Sequence, residues 1–290
     1  MSLLLNLALL QQQANIRMVP KPGFTTQWTV SGDTIARTIT LPLTDHGTYN
    51  CTVYWGDGSS VQLTAYNDDN RIHTYQANGT YQLEIIGECP GWSFNNAGDR
   101  LKISNIIHWG DASKFGGFAY LDNGFNGCSN LISHGAGAIL RKASCTSLQF
   151  LFMGTGISTL QSSLLSNCAP VLNLQGFAAN CPILESISDD LFRGCTSATN
   201  FSQVLYWNQK LELKPYIFYE SGQQSTVFAS RDMVFTFGFR LTSPSAFIGV
   251  KGTAPELWNC TFKSVSTYRC FANHATTTLN NYASIPTNWK

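Results

Sequence analysis

The stretch that decides the fold is Phe125–Lys210, which runs FNGCSNLISHGAGAILRKASCTSLQFLFMGTGISTLQSSLLSNCAPVLNLQGFAANCPILESISDDLFRGCTSATNFSQVLYWNQK. A small residue, most often cysteine, repeatedly precedes an aliphatic residue by about three positions. Four of these small residues, Cys128, Thr155, Cys181 and Asn208, follow one another at intervals of 27, 26 and 27 residues. This nearly constant step predicts stacked coils, because each coil can bury its apolar edge only against its neighbours.

Cysteines fill most of these small positions. Five of the nine cysteines in the chain occupy the repeated position, where Thr155 and Asn208 also occur: Cys128, Cys145, Cys168, Cys181 and Cys195. A position that accepts threonine and asparagine does not need a sulfur bridge, and a free cysteine packs there as a small apolar side chain. The pattern therefore predicts a ladder of free thiols rather than a disulfide framework, which fits assembly in a reducing cytoplasm.

Residues 23–100 carry a different pattern. Short runs with alternating polarity are separated by glycine and asparagine turns, which predicts β-strands. Ile35–Leu41 alternates and predicts one such strand, while Gly56-Asp57-Gly58 predicts a tight turn between two others. The segment also contains a set of polar and aromatic residues that we expect to form a structural motif, namely Trp55, Asp57, His73, Tyr75 and Tyr81.

Both patterns resemble known families. The succession F-x-G-C-x-x-L followed by L-F-x-G-C, over roughly residues 121–213, resembles the BspA-type leucine-rich repeat surface proteins of bacterial cell surfaces and bacteriophage tail adhesins. The combination of YWGDG, HTY and GTY over residues 54–81 resembles the PKD-type immunoglobulin-like sandwich. That resemblance implies that Trp55 and Tyr81 pack in a sandwich core and that Asp57 holds the turn. Both families share a scaffold rather than a reaction.

The resulting prediction is a mainly β fold in which an immunoglobulin-like β-sandwich is followed by a leucine-rich-repeat solenoid with short strands and irregular or short helical segments. The predicted parts are an N-terminal helix and linker (1–22), the PKD-like sandwich (23–100), the BspA-like solenoid (101–215), and an irregular continuation with a C-terminal cap (216–290). The sandwich is expected to cover one end of the coil stack, because an open end exposes apolar side chains.

Residues 1–22 leave two interpretations open. Leu3, Leu7, Leu10 and Ala14 lie on one face at coiled-coil spacing, which predicts a short assembly helix that packs on a partner. The alternative is a signal peptide, although no Lys or Arg precedes the apolar run and no clear small-x-small cleavage site follows it. The run is too short to cross a membrane as a helix.

Composition and motifs limit the partners and reactions to be expected. Charged residues make up 12% of the chain and the formal net charge is +1, so we expect no nucleic-acid partner. The histidines are scattered singly, and no zinc spacing, paired carboxylates, phosphate loop or nucleophile motif is found. We therefore expect no enzyme and no catalytic, cofactor or metal site.

Aromatic side chains give contact area with little loss of entropy, so the candidate recognition surface is Tyr206, Trp207, Tyr216 and Tyr219.

The expected function is that of a non-enzymatic bacteriophage tail or tail-fibre adhesin. It would recognise a host-surface glycan or protein through the solenoid and contact other virion proteins through residues 1–20. We expect a homo-oligomer without a membrane span, located in the virion tail after assembly in the host cytoplasm. One alternative is a BspA-like adhesin that is secreted or held at the bacterial surface, and another is a purely structural virion or decoration protein. The virion is favoured because no lipobox, wall anchor or clear export signal is found.

Overall fold

The computed structural model describes residues 23–213, 217, 236–242, 251–254, 261–266, 270–271 and 279–290. Within these ranges the fold is mainly β, as predicted, with short strands in open sheets and no long helix. The predicted N-terminal helix lies outside the described residues. The strands are β1 Phe24–Val30, β2 Thr38–Thr40, β3 Asn50–Tyr54, β4 Ser60–Leu63, β5 Ile72–Thr74, β6 Gly79–Glu88, β7 Ile103–Trp109, β8 Ser133–Ala136, β9 Thr159–Leu160, β10 Ser186–Ile187, β11 Glu212–Leu213, β12 Thr236–Thr242, β13 Lys251–Gly252 and β14 Thr261–Ser266. Single turns of 3-10 helix occur at Asp69–Arg71, Ser162–Leu165, Tyr282–Ser284 and Thr287–Trp289.

The largest sheet has six strands in the order β4-β3-β6-β1-β7-β8. Strand β1 lies in its middle and pairs antiparallel with β6 and β7, so that Phe24 lies opposite both Ile85 and Trp109. Side chains alternate between the two faces of a strand, and Phe24, Trp28 and Val30 are all buried on one face of β1. The other strands of the first hundred residues form a separate two-stranded sheet, β2–β5.

The six-stranded sheet extends beyond residue 100. Strands β7 and β8 belong to the region predicted as the solenoid, and β7 pairs parallel with β8, with Asn105 opposite Ser133. Because β7 also pairs with β1, the predicted boundary at residue 100 falls inside one hydrogen-bonded sheet rather than in a linker.

The strand predicted at Ile35–Leu41 is shorter than expected. Only Thr38–Thr40 is extended, and Ile35 is 81% exposed. The Asp33 carboxylate accepts a hydrogen bond from the Ala36 N–H at 2.9 Å, and the Asp33 carbonyl accepts one from the Arg37 N–H at 3.0 Å. The prediction was wrong here because aspartate closes a turn with its own side chain, which the alternating pattern does not reveal.

Downstream of β8 the chain forms coils that stack on one another. One edge carries very short parallel pairings, between β9 and β10 and between β11 and β13, and Gly252 bridges in turn to Leu279. Parallel bridges also join Ser147 to Asn173 and Asn173 to Asn200. The paired residues are 26 or 27 positions apart in most cases, the step seen in the sequence.

A second edge of each coil is built from turns. The Phe150 N–H donates to the Gln175 carbonyl, and the Gly176 N–H donates to the Ser202 carbonyl, each at 2.8 Å. Each coil thus satisfies the backbone groups of the next, which a buried chain requires. Two residues per coil, four positions apart, adopt a positive φ: Asn123 and Gly127, Phe150 and Gly154, Gly176 and Asn180, Gln203 and Trp207.

One hydrophobic core runs through the described residues. At the junction between sheet and coils it is aromatic: the Phe24 ring lies 4.9 Å from that of Phe118 and 5.8 Å from that of Trp109. Trp109 continues into the stack, with its ring 5.9 Å from that of Phe125 and 6.4 Å from that of Phe152. These rings join the two regions without an intervening polar layer.

Candidate functional site

The residues of the predicted structural motif lie together. The ring of His73 stacks on that of Trp55 at 4.6 Å and meets the ring of Tyr75 edge-on, also at 4.6 Å. Tyr75 stacks on Tyr81 at 3.9 Å and donates its hydroxyl to the Trp55 carbonyl at 2.9 Å. Asp57 closes the cluster, with its Oδ2 at 2.8 Å from His73 Nε2.

The Asp57 carboxylate is held by its own turn. Its Oδ1 accepts hydrogen bonds from the Ser59 N–H at 2.9 Å and from the Ser59 hydroxyl at 2.6 Å. Burial acts to raise the pKa of Asp57, but the Ser59 and His73 hydrogen bonds outweigh it and lower that pKa. The Ser59 hydroxyl contacts the aspartate and not the histidine, so the cluster is not arranged as a nucleophile–base–acid relay. It fixes the hairpin turn.

The cysteine ladder consists of two columns rather than one repeated position. In the first column Cys181 Sγ lies 3.4 Å from Thr155 Oγ1, and the Cys181 N–H donates to Asn208 Oδ1 at 2.8 Å. The second column contains Cys168 and Cys195, which lie in hydrogen-bonding contact, with Cys145 nearby. Each coil therefore makes two similar turns, which the sequence motif does not distinguish.

The thiols are buried and not bridged. The eight cysteines among the described residues are all free and buried: Cys51, Cys89, Cys128, Cys145, Cys168, Cys181, Cys195 and Cys270. Burial raises the pKa of Cys145 to about 12 and also raises those of Cys128 and Cys181. A hydrogen bond from Cys195 lowers the pKa of Cys168, whereas the same bond and burial raise that of Cys195. Most of these thiols are therefore protonated and weak nucleophiles at neutral pH.

Two of the four predicted recognition residues can be located. Tyr206 and Trp207 are both half-buried, and their rings lie 5.8 Å apart at a tilt of 32°. Tyr216 and Tyr219 lie outside the described residues. The two located residues belong to the turn edge of the coil stack, where the Tyr206 carbonyl accepts a hydrogen bond from the Asn180 N–H.

This turn edge forms a surface that extends from the candidate recognition residues Tyr206 and Trp207 across two further coils. It consists of residues 147–154, 173–180 and 200–207 of three successive coils, and we call it the neutral face. The backbone hydrogen bonds place Phe150, Gly176 and Gln203 at equivalent positions, and likewise Gly154, Asn180 and Trp207. None of these three segments contains Asp, Glu, Lys or Arg.

The middle coil of the neutral face carries small residues. A Cβ atom on Gly176 would lie 2.3 Å from Cδ1 of Phe150, so the Phe150 ring extends over this glycine. Ala179 occupies the position equivalent to Tyr206 on the following coil. The Phe150 ring therefore covers the middle coil, and Tyr206 and Trp207 lie on the next coil, one strand spacing or about 4.8 Å further along the stack.

Amide side chains border these rings. Asn173 Nδ2 donates to Gln149 Oε1 at 3.1 Å, and the Gln149 N–H donates to Oδ1 of Asp122 on the preceding coil at 3.2 Å. The Gln149 side chain also hydrogen-bonds the Asp122 carboxylate, and Asn173 Oδ1 accepts from the Gln175 N–H at 3.0 Å, so these two amides are engaged within the protein. Gln175 and Gln203 are half-buried and make no side-chain hydrogen bond to another described residue. An amide both donates and accepts hydrogen bonds, and the neutral face can therefore contact uncharged hydroxyl groups.

Asp122 is an acidic residue next to the neutral face. It is 8% exposed, and burial raises its pKa, while hydrogen bonds from Ser147 and Gln149 act in the opposite direction. On the adjoining loop the His46 ring stacks on that of Tyr120 at 3.7 Å. Asp122 thus brings a carboxylate into contact with Gln149 on the first coil of the neutral face.

No protein-family model, curated protein or solved structure matches this chain. Among the described residues, no three His, Cys, Asp or Glu side chains are grouped so that they could hold a metal ion. Over the same ranges, no helix has the length and apolarity needed to span a bilayer.

A signal for the neutral face was present in the sequence. When segments 147–154, 173–180 and 200–207 are aligned at the 26- and 27-residue step, their lack of charge is visible without a structure. The positive φ of Phe150, Gln203 and Trp207 was not visible, because bulky residues rarely adopt that conformation and the equivalent Asn and Gly residues occur only on other coils.

Proposed function

We propose that this protein is a non-enzymatic bacteriophage tail or tail-fibre adhesin that recognises a host surface. In this proposal the first region is a PKD-type immunoglobulin-like sandwich, and the stacked coils are a BspA-like leucine-rich solenoid. The long-range pairing of β1 with β6 and the Trp55–Asp57–His73 cluster support the first assignment. The 26- and 27-residue hydrogen-bonding step supports the second.

The observation that carries the adhesin proposal is the neutral face. It holds half-buried rings, Phe150, Tyr206 and Trp207, on a backbone that is hydrogen-bonded from coil to coil. A rigid surface loses little entropy when it binds a partner, and aromatic residues supply most of the energy at such contacts. The free, buried thiols are compatible with folding in a reducing cytoplasm before assembly into a virion.

The decisive experiment is a binding assay of the full chain on a panel of bacterial strains. An adhesin gives saturable binding to at least one strain, and the neutral-face variants described below weaken it. If no strain is bound, the adhesin proposal fails. Deletion of residues 1–19 then tests the structural alternative, which requires that the deletion prevents incorporation into virions.

A bacterial surface adhesin is the second candidate. It would be exported from the cell that makes it, whereas a virion adhesin would be assembled in the cytoplasm. The intact mass of the native protein, alkylated without reduction, separates the two. A chain that keeps its first residues and carries nine alkylated thiols indicates cytoplasmic synthesis. A chain that lacks about the first twenty residues, or that carries blocked cysteines, indicates export.

A further inference from the structure

We propose, building on the adhesin function, that the neutral face is a binding site for an uncharged saccharide. The saccharide lies across three coils, packs its C–H faces on the Phe150 and Trp207 rings, and bonds its hydroxyls to the amides of Gln175 and Gln203. Three independent features of the face lead to this assignment: its strained backbone, the shape of its surface, and its uncharged, amide-bearing side chains.

The strain is located where the rings are. Phe150, Gln203 and Trp207 have φ values of 54°, 55° and 61°, in the left-handed region. The equivalent positions on other coils are Asn or Gly, which adopt this region at little cost. A bulky residue there costs about 1 kcal/mol or more, and such outliers concentrate at functional sites. The chain thus keeps large side chains at the positions of this face where the fold favours small ones.

The shape of the surface suits a flat ligand. Gly176 and Ala179 on the middle coil have little or no side chain, and the Phe150 ring extends over Gly176. Tyr206 and Trp207 follow on the next coil, one strand spacing or about 4.8 Å further along the stack. A pyranose ring has two broad faces with C–H groups, and these pack on aromatic rings whose faces carry partial negative charge.

The chemistry favours a neutral ligand. The three segments contain no charged side chain, so the face offers no ion pair to a carboxylate, sulfate or phosphate. Instead, the middle and third coils offer the amides of Gln175 and Gln203. Each amide donates and accepts, as each sugar hydroxyl does. A saccharide laid along the stack can therefore bond to the amides of two successive coils.

The test uses variants that remove the rings without straining the backbone. Phe150→Asn copies Asn123 of the preceding coil, and Trp207→Asn copies Asn180, which already has a φ of 54°. Both replacements place a residue that tolerates this conformation, so loss of binding is not expected from unfolding. The control is Tyr54→Ala, which removes a ring that is 44% exposed on the six-stranded sheet. Thermal unfolding of each variant verifies that it is folded.

Each protein is measured on a strain that the wild-type chain binds, before and after periodate oxidation of the cells, which cleaves sugar diols. We expect periodate to abolish binding, each neutral-face variant to weaken it about tenfold or more, and Tyr54→Ala to leave it unchanged. Binding should also vary little with salt, because no ion pair is formed.

Other outcomes separate the two proposals. Binding that survives periodate overturns the saccharide while the adhesin function stands. Binding that is lost with periodate but unchanged in Phe150→Asn and Trp207→Asn overturns the location of the site. Strong weakening of binding by salt overturns the neutral ligand. If no strain is bound by the wild-type chain, the adhesin function fails, and the saccharide site, which depends on it, is abandoned as well.

Discussion

The two regions of this molecule are stabilised in different ways. In the first region, strands far apart in sequence pair once each, as β1 does with β6, and large unique side chains such as Trp28 and Trp55 fill the core. In the coil stack, backbone groups bond to the equivalent group about 26 residues away, and one buried column accepts Cys, Thr and Asn in turn. The first arrangement depends on individual side chains, and the second depends on a repeated backbone path.

The two regions differ in their tolerance to substitution for a structural reason. A column position is defined by backbone hydrogen bonds on both sides, so a side chain is acceptable if it is small and satisfies its own polar atoms. A core position in the first region is defined by the shapes of its neighbours, so the loss of one ring leaves a cavity. The predictions below test this difference, beginning with the largest expected effect.

Trp109→Ala should break the link between the regions. The Trp109 ring is buried, contacts Phe24 on one side and Phe152 on the other, and donates its Nε1 hydrogen to the His134 carbonyl at 2.8 Å. We expect a loss of about 3–5 kcal/mol in the free energy of unfolding, measured by urea denaturation. Because the core is continuous, circular dichroism and tryptophan fluorescence should report one shared transition. Two separated transitions in the wild-type chain would contradict this.

Asn208 and Thr155 allow a matched test within one column. Asn208 Oδ1 accepts from the Cys181 N–H, and its Nδ2 donates to the carbonyls of Ala178 and Leu205 at 2.7 and 3.0 Å. Asn208→Cys leaves these buried groups without partners and should cost about 3 kcal/mol, whereas Thr155→Cys should cost less than about 1 kcal/mol. Equal costs in urea denaturation would mean that the column selects for size alone.

Asp57 predicts a pH dependence of the free energy of unfolding. Its pKa is lowered in the folded state, so its stabilisation is present above the unfolded value of about 3.9 and is lost as the pH falls through the folded value. Asp57→Asn should cost about 1 kcal/mol at neutral pH, and less as the pH drops below about 4, in urea denaturation at a series of pH values.

A second acidic substitution serves as the comparison for Asp57. Asp190 Oδ2 lies 3.8 Å from Nη1 of the exposed Arg193 on the coil stack, and the pair is open to solvent on the arginine side, so Asp190→Asn should change the stability by less than about 0.5 kcal/mol. A cost for Asp57→Asn that stays constant down to the lowest pH would contradict the role of the ionised carboxylate.

The smallest expected effect is a gain in stability. Gln203 has a φ of 55°, so Gln203→Asn should raise the melting temperature by about 1–2 °C, because asparagine adopts this conformation more readily. Gln209→Asn is the matched control, since Gln209 is exposed and does not have a positive φ, and it should change nothing. A drop in melting temperature for Gln203→Asn would show that the glutamine side chain, rather than the backbone, matters at this position.

The repeat and the fold class could be predicted from the sequence for a physical reason. Stacked coils require small and apolar residues at a fixed spacing. The coil length can therefore be read from the spacing of Cys128, Thr155, Cys181 and Asn208. The Trp55, Asp57 and His73 motif could be recognised because its members are close in sequence and each makes a specific contact. The mainly β fold follows from both and is confirmed.

Other features were decided by tertiary structure alone. The sheet that runs from β1 through β7 into β8 depends on pairings between residues about 80 and 28 positions apart, which no local pattern encodes. The division of the cysteines into two columns, and the neutral face itself, arise only when the coils are stacked. Sequence thus determined the length and periodicity of the units, because those follow from local burial, whereas stacking decided which side chains meet, because neighbours in space are far apart along the chain.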